Sequence, residues 1–213
     1  MRRLAPLVTA SATALALAGC NLVAQLQGGP VVGKLEKTPV VGGEADMTIY
    51  LDLVASQEWE DCHFNNGPCM PPERATRLGT ASSVYTRGSN AGFGLGAEEG
   101  FFAGTTDAKR MVLFAGGARL GLETLRGTAY ASAGGYARLS VGFTISKTYD
   151  PHAILLCRQL NYLTFSLQGT VDAMPAASSP STLPAASLLV GIAGVNDSGA
   201  PSDQQVPGAR CPR

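Results

Sequence analysis

Met47-Thr48-Ile49-Tyr50-Leu51-Asp52-Leu53 decides the fold class. Met47, Ile49, Leu51 and Leu53 alternate with Thr48, Tyr50 and Asp52, a period of two that places the two sets on opposite faces of a strand. One face is expected in the core and the other in water. The same alternation returns at Leu139, Val141, Phe143 and Ile145 and again at Leu163, Phe165 and Leu167. Shorter strand-like runs occur at 81–86, 111–114, 153–157 and 188–192. Gly134-Gly135 between two such runs predicts a two-residue hairpin turn, because those turns need positive φ. In that register Tyr130 faces Leu139, and a bulge is expected at Gly127 to turn Arg126 away from Phe143. No long amphipathic helix is evident. The expected fold is mainly β, an antiparallel β-sandwich or small barrel with long irregular loops.

The segments between these strands read as irregular. Residues 21–45, with Gly28-Gly29-Pro30, Gly33, Pro39 and Gly42-Gly43, show little sustained periodicity and predict a tether, although Val31-Val32 and Val40-Val41 leave room for a short edge strand. An excursion at 56–76 holds the only tryptophan, Trp59. The glycine-rich stretch 88–104 is expected to form turns or a loop. The Pro-, Ala- and Ser-rich stretch 173–187 is expected to be a loop because it offers little apolar surface to offset its ordering entropy.

The chain starts Met1-Arg2-Arg3, continues with an apolar run from Leu4 to Leu17, and reaches Ala18-Gly19 before Cys20. That order is the pattern of a secretory leader, and the run is too short for a spanning helix. Leu17-Ala18-Gly19-Cys20 resembles the lipobox of bacterial lipoprotein precursors. The resemblance implies cleavage after Gly19, a lipid on Cys20, and stable tethering through two or more acyl chains. Asn21, where an aspartate would resemble an inner-membrane retention signal, favours the outer membrane. The resulting division is a leader over 1–19, a lipidated tether over 20–45, one β domain over 46–195 and a polar tail over 196–213.

Of the 16 basic residues, Arg2 and Arg3 leave with the leader, so against 16 acidic residues the mature chain carries a formal charge of about −2. It lacks the basic run that nucleic-acid binding requires. Cys62, Cys69, Cys157 and Cys211 remain, an even set that reads as a disulfide framework in an exported protein. Three connectivities are open. Cys62–Cys69 with Cys157–Cys211 is favoured because Asn65-Asn66-Gly67-Pro68 can turn the chain between the first two. By loop entropy these bridges contribute at most about 2.5 and 4 kcal/mol.

Signals for chemistry are weak. His63 and His152 sit in no catalytic motif, and no G-x-S-x-G, dinucleotide or P-loop pattern occurs. Cys62-His63 with Cys69 lacks the paired spacing of a zinc site. The carboxylates Glu58, Glu60, Asp61, Glu98 and Glu99 read as solvated loop charges. Trp59 and Phe64 are the candidate partner-contact residues. The expectation is a lipid-anchored cell-envelope protein without a cofactor, metal or catalytic role, acting as a structural or accessory domain. The competing expectation is a lipoprotein that binds a small molecule or a metal.

Overall fold

The computed structural model describes residues 22–53, 74–125, 127–149, 158–175 and 181–197. They form eight antiparallel strands and no helix. In chain order these are β1 (Leu22–Leu35), β2 (Thr38–Asp52), β3 (Arg74–Ser89), β4 (Gly92–Asp107), β5 (Arg110–Leu125), β6 (Thr128–Tyr149), β7 (Arg158–Met174) and β8 (Ser181–Asp197). Each strand pairs with the next, and β1 also pairs with β8, so the sheet closes into a barrel. Closure satisfies both backbone edges of every strand and leaves no sheet edge open. The mainly β reading holds, in its barrel form.

Several boundaries differ from the expectations. The tether over 20–45 is replaced from Leu22 onward by β1 and the first half of β2. Its glycines and prolines hid an alternation that the burial makes plain: Val23, Gln25, Gln27 and Val31 point inward, and Ala24, Leu26, Pro30 and Val32 point outward. Likewise 181–187, assigned to a Pro-rich loop, is the start of β8. The glycine-rich 88–104 is the end of β3, a tight turn and most of β4. Cys20, Trp59, Cys62, His63, Phe64, Cys69, His152, Cys157 and Cys211 lie outside the described residues.

The hairpin expected at Gly134-Gly135 does not form, since β6 runs through both residues. Tyr130 instead faces Glu123, and Leu139 faces Phe114 on one side and Leu167 on the other. The turn sits at Gly127, whose φ of 83° suits glycine, and the bulge falls between Thr144 and Ser146. Gly134 serves a different need. It lies opposite Arg119 and Asp172 of the neighbouring strands, and a Cβ there would collide with the Val171 carbonyl oxygen.

The β3–β4 turn is held by Asn90, whose backbone N donates to Val41 O at 3.1 Å and whose Oδ1 accepts from Val41 N at 3.0 Å. Gly92 follows with φ 154°, and a Cβ there would collide with the Thr124 carbonyl oxygen. Gly92→Ala is therefore expected to destabilise the fold by about 1–3 kcal/mol, measured by denaturant unfolding. A change below a few tenths would mean that the turn relaxes freely.

Candidate functional site: a charged lumen inside an apolar wall

Every strand exposes apolar side chains on its outer face and buries polar or charged ones on its inner face. In β7, Thr164, Ser166, Gln168, Thr170 and Asp172 are buried inside the ring, whereas Leu163, Phe165, Leu167 and Val171 are exposed on its outer surface. The stretch that opened the sequence reading behaves the same way. Thr48 and Tyr50 are buried, and Met47 is 49% exposed. Period two was read correctly, but the expected wet and dry faces are exchanged.

Inside, three arginines hold an ionic network. Arg138 Nη2 lies 2.9 Å from Glu98 Oε2 and 3.2 Å from Asp46 Oδ2. Arg119 Nη1 lies 2.7 Å from Glu98 Oε1 and 3.4 Å from Glu44 Oε1, while its Nε stands 3.3 Å from Asp172 Oδ1 without hydrogen-bond alignment. Arg87 bridges Glu44 at 2.7 Å and Asp172 at 3.2 Å. Gln168 Nε2 donates at 3.0 Å to both Glu44 and Glu98, and Gln27 Nε2 donates at 3.1 Å to Asp46. The Arg119 guanidinium also stacks 3.4 Å above the Tyr85 ring, a cation–π contact. With Glu123, five carboxylates and three guanidinium groups are at most 3% exposed. Burying ions is costly, and only this density of pairing makes it tolerable.

Glycine placement makes room for these large groups. Inward-facing Gly94 lies against the Glu123 carboxylate, and Gly96 and Gly121 lie against Tyr85. A Cβ at any of the three would overlap those side chains. Within the stretch 88–104, Gly94 and Gly96 thus make room for packed lumen side chains.

Apolar layers close the lumen on either side of the network. Toward the end where β1 starts and β8 finishes, Val23, Tyr50, Phe102, Met111, Leu160 and Tyr162 cluster. Toward the opposite end, Val40, Met174 and Leu183 pack with Leu35, Leu125 and Tyr130. An eight-stranded barrel is just wide enough for side chains to fill, and this one is filled.

Of the five carboxylates read as loop charges, Glu58, Glu60 and Asp61 lie outside the described residues, and Glu98 and Glu99 separate completely. Glu98 is buried at the centre of the network, and Glu99 is exposed on the outer wall, where it accepts from Ser82 Oγ at 2.7 Å. Neither was expected in a strand. Arg87, Arg119 and Arg138 were missed as site residues. The available signal was their phase: Arg87 shares its alternate set with Ser83, Arg119 with Glu123, and Arg138 with Ser132 and Ser140. No group of three metal-ligating side chains occurs among the described residues.

No family model matches the chain, and no curated protein or solved structure matches it either.

Proposed function

We propose that this protein is a membrane-spanning β-barrel of a bacterial outer membrane, a non-enzymatic envelope component anchored a second time by lipid on Cys20. The observation that carries the reading is the inverted alternation, an apolar wall around a charged lumen. In water, exposed apolar patches beyond a few hundred Å² are unfavourable and mark contact with a partner or a membrane. Here the outward apolar side chains belong to every strand and encircle the molecule, Leu26, Met47, Val84, Phe101, Phe114 and Leu188 among them. A solvent that surrounds the barrel on all sides fits that distribution better than one docked partner. Closure and an even number of antiparallel strands meet the bilayer's demand that no backbone edge be open. The shortest strand has 14 residues, more than the ~9–11 a tilted strand needs to cross.

The filled lumen argues against a water-filled pore and against a ligand held inside. A structural or accessory role in the envelope follows, in which the rims and the wall meet other molecules. β1 starts at Leu22, two residues after the cysteine proposed to carry the lipid.

Fractionation of cells separates this reading from a soluble domain on a lipid leash. The test variant is Cys20→Ala behind a leader cut by ordinary signal peptidase. A spanning barrel stays in the membrane pellet through alkaline extraction and conducts no ions in planar bilayers. Release of the variant into the soluble fraction would overturn the proposal.

Glu99 supplies a second check. It is the one charged side chain near the middle of the outer wall among the described residues. Charge facing acyl chains is destabilising, so Glu99→Leu is expected to stabilise the reconstituted protein by about 1 kcal/mol. Denaturant unfolding in vesicles measures it, and a loss of stability would argue that Glu99 faces water or a partner.

A further inference from the structure

The charges in the lumen do not balance. Glu44, Asp46, Glu98, Glu123 and Asp172 are buried together with Arg87, Arg119 and Arg138, so five carboxylates meet three guanidinium groups. Arg77, also buried, lies 3.4 Å from Asp52 and adds no net charge. With every group ionised, the closed interior formed by the described residues would hold two negative charges in excess, and an uncompensated buried charge is costly.

The excess falls on two side chains. Glu123 makes no ion pair among the described residues, and its Oε1 is buried without a hydrogen-bond partner. In the strand register it lies between Gly94 of β4 and Tyr130 of β6, with Arg87 of β3 beyond the glycine. Arg87 is already engaged by Glu44 of β2 and Asp172 of β7, and Arg119 of β5 by Glu44 and Glu98. On the adjoining rung, Tyr85 Oη and Ser132 Oγ both lie against Gly121, and both are buried without partners. Burial pushes the Tyr85 phenol up, so it stays neutral and supplies no counter-charge.

Asp46 is the second. Arg138 Nη2 stands 3.2 Å from it, but the same nitrogen lies closer to Glu98 of β4, at 2.9 Å. Its other contacts are neutral donors, Gln27 Nε2 of β1 at 3.1 Å and Thr48 Oγ1 of β2 at 3.0 Å, and Tyr85 of β3 faces it in register. Burial outweighs Arg138 and pushes the Asp46 carboxyl up to about 6. Burial raises the Glu123 carboxyl as well, against the pull of Arg87 and Arg119.

We propose that the lumen is a proton-binding site, taking one proton from solvent at Glu123 and one at Asp46, so that the closed barrel is most stable in mildly acidic surroundings, where its interior is charge-balanced. The site lies inside the ring and is the same whether lipid or water meets the wall. Each carboxyl holds its proton more tightly in the folded state than in the unfolded chain. Stability is therefore gained as pH falls through the folded value and lost as pH rises through it. For Asp46, a rise from 3.8 to about 6 makes the unfolding equilibrium constant about tenfold smaller at about pH 5 than at about pH 7.5. Glu123 acts in the same direction.

The test is urea unfolding of the full mature chain in phosphatidylcholine vesicles across that range at fixed ionic strength. Infrared spectra of the folded protein are taken at about pH 6, where exposed carboxyls are ionised. The wild type is expected to gain at least the tenfold toward acid and to show the carbonyl stretch of a protonated carboxylic acid. Asp46→Asn/Glu123→Gln is expected to flatten the pH dependence and to lose that band. Stability that is level or falls toward acid, with no such band in the wild type, overturns the proposal without recourse to any variant. An unchanged pH dependence in the double variant moves the protons elsewhere and overturns the assignment to these two residues. A third arm replaces choline with sodium at about pH 7.5. Stabilisation by sodium that Glu123→Gln abolishes, with no protonated band in the wild type, would make a metal cation the counter-charge and overturn the proton site.

Discussion

Leu188→Arg is expected to lower the unfolding free energy of the bilayer-reconstituted protein by about 2–4 kcal/mol, the cost of a cation at the middle of a lipid-facing wall. Leu188 lies near the centre of β8, is 55% exposed and faces Leu167 across the β7–β8 ladder. No lumen contact is touched, so the effect isolates what the outer surface meets. In water the same substitution breaks an exposed apolar patch, and it would improve solubility at little or no cost in stability. The sign of the change therefore reports the solvent of the wall. Urea unfolding in vesicles measures it, and a neutral or favourable result would overturn the membrane-spanning reading.

Arg138→Met carries the largest expected effect inside the lumen. The guanidinium is 1% exposed and holds both Asp46 and Glu98. Its removal leaves Asp46 without its cation in a closed interior, whereas Glu98 keeps Arg119 at 2.7 Å, and breaking a buried pair in this way costs about 3–5 kcal/mol. The companion Arg138→Met/Asp46→Asn removes the stranded charge together with its partner and is expected to recover much of that loss. Comparing single and double variants in denaturant separates the penalty of an unpaired charge from the net worth of the pair. A cost below about 1 kcal/mol for the single variant would mean that water or ions reach the lumen, contrary to its closure by the two apolar clusters.

The strands most legible in the sequence were those whose apolar set is large and uninterrupted. Residues 47–53, 139–145 and 163–168 all lie in β-structure apart from Leu53, which follows β2. Residues 22–45 and 181–187 were lost because glycine, alanine and proline occupy their faces, so composition outweighed a weak alternation. Gly134-Gly135 misled for a related reason. A glycine pair signals a turn when the backbone needs positive φ, but these residues lie within a continuous strand and Gly134 allows close approach of the Val171 carbonyl. Beyond the phase of its arginines, the ionic network had no local signature. Glu44 and Gln168, which hydrogen-bond across the lumen, are 124 residues apart.

By itself, the sequence determined that the chain forms antiparallel strands with two chemically distinct faces, because a period of two is a local property of the pleated backbone. It also carries the Leu17-Ala18-Gly19-Cys20 motif on which the anchor proposal rests. Which face looks outward was decided only by the tertiary structure. Alternation is symmetric under exchange of faces, and closing β1 against β8 breaks that symmetry. Once the ring shuts, the inner set has only itself for company, and arginines, acids and glutamines from distant strands satisfy one another there. Leu26, Phe114, Leu167 and Leu188 are among the apolar side chains left facing outward, while Val23, Phe102 and Leu160 close the lumen.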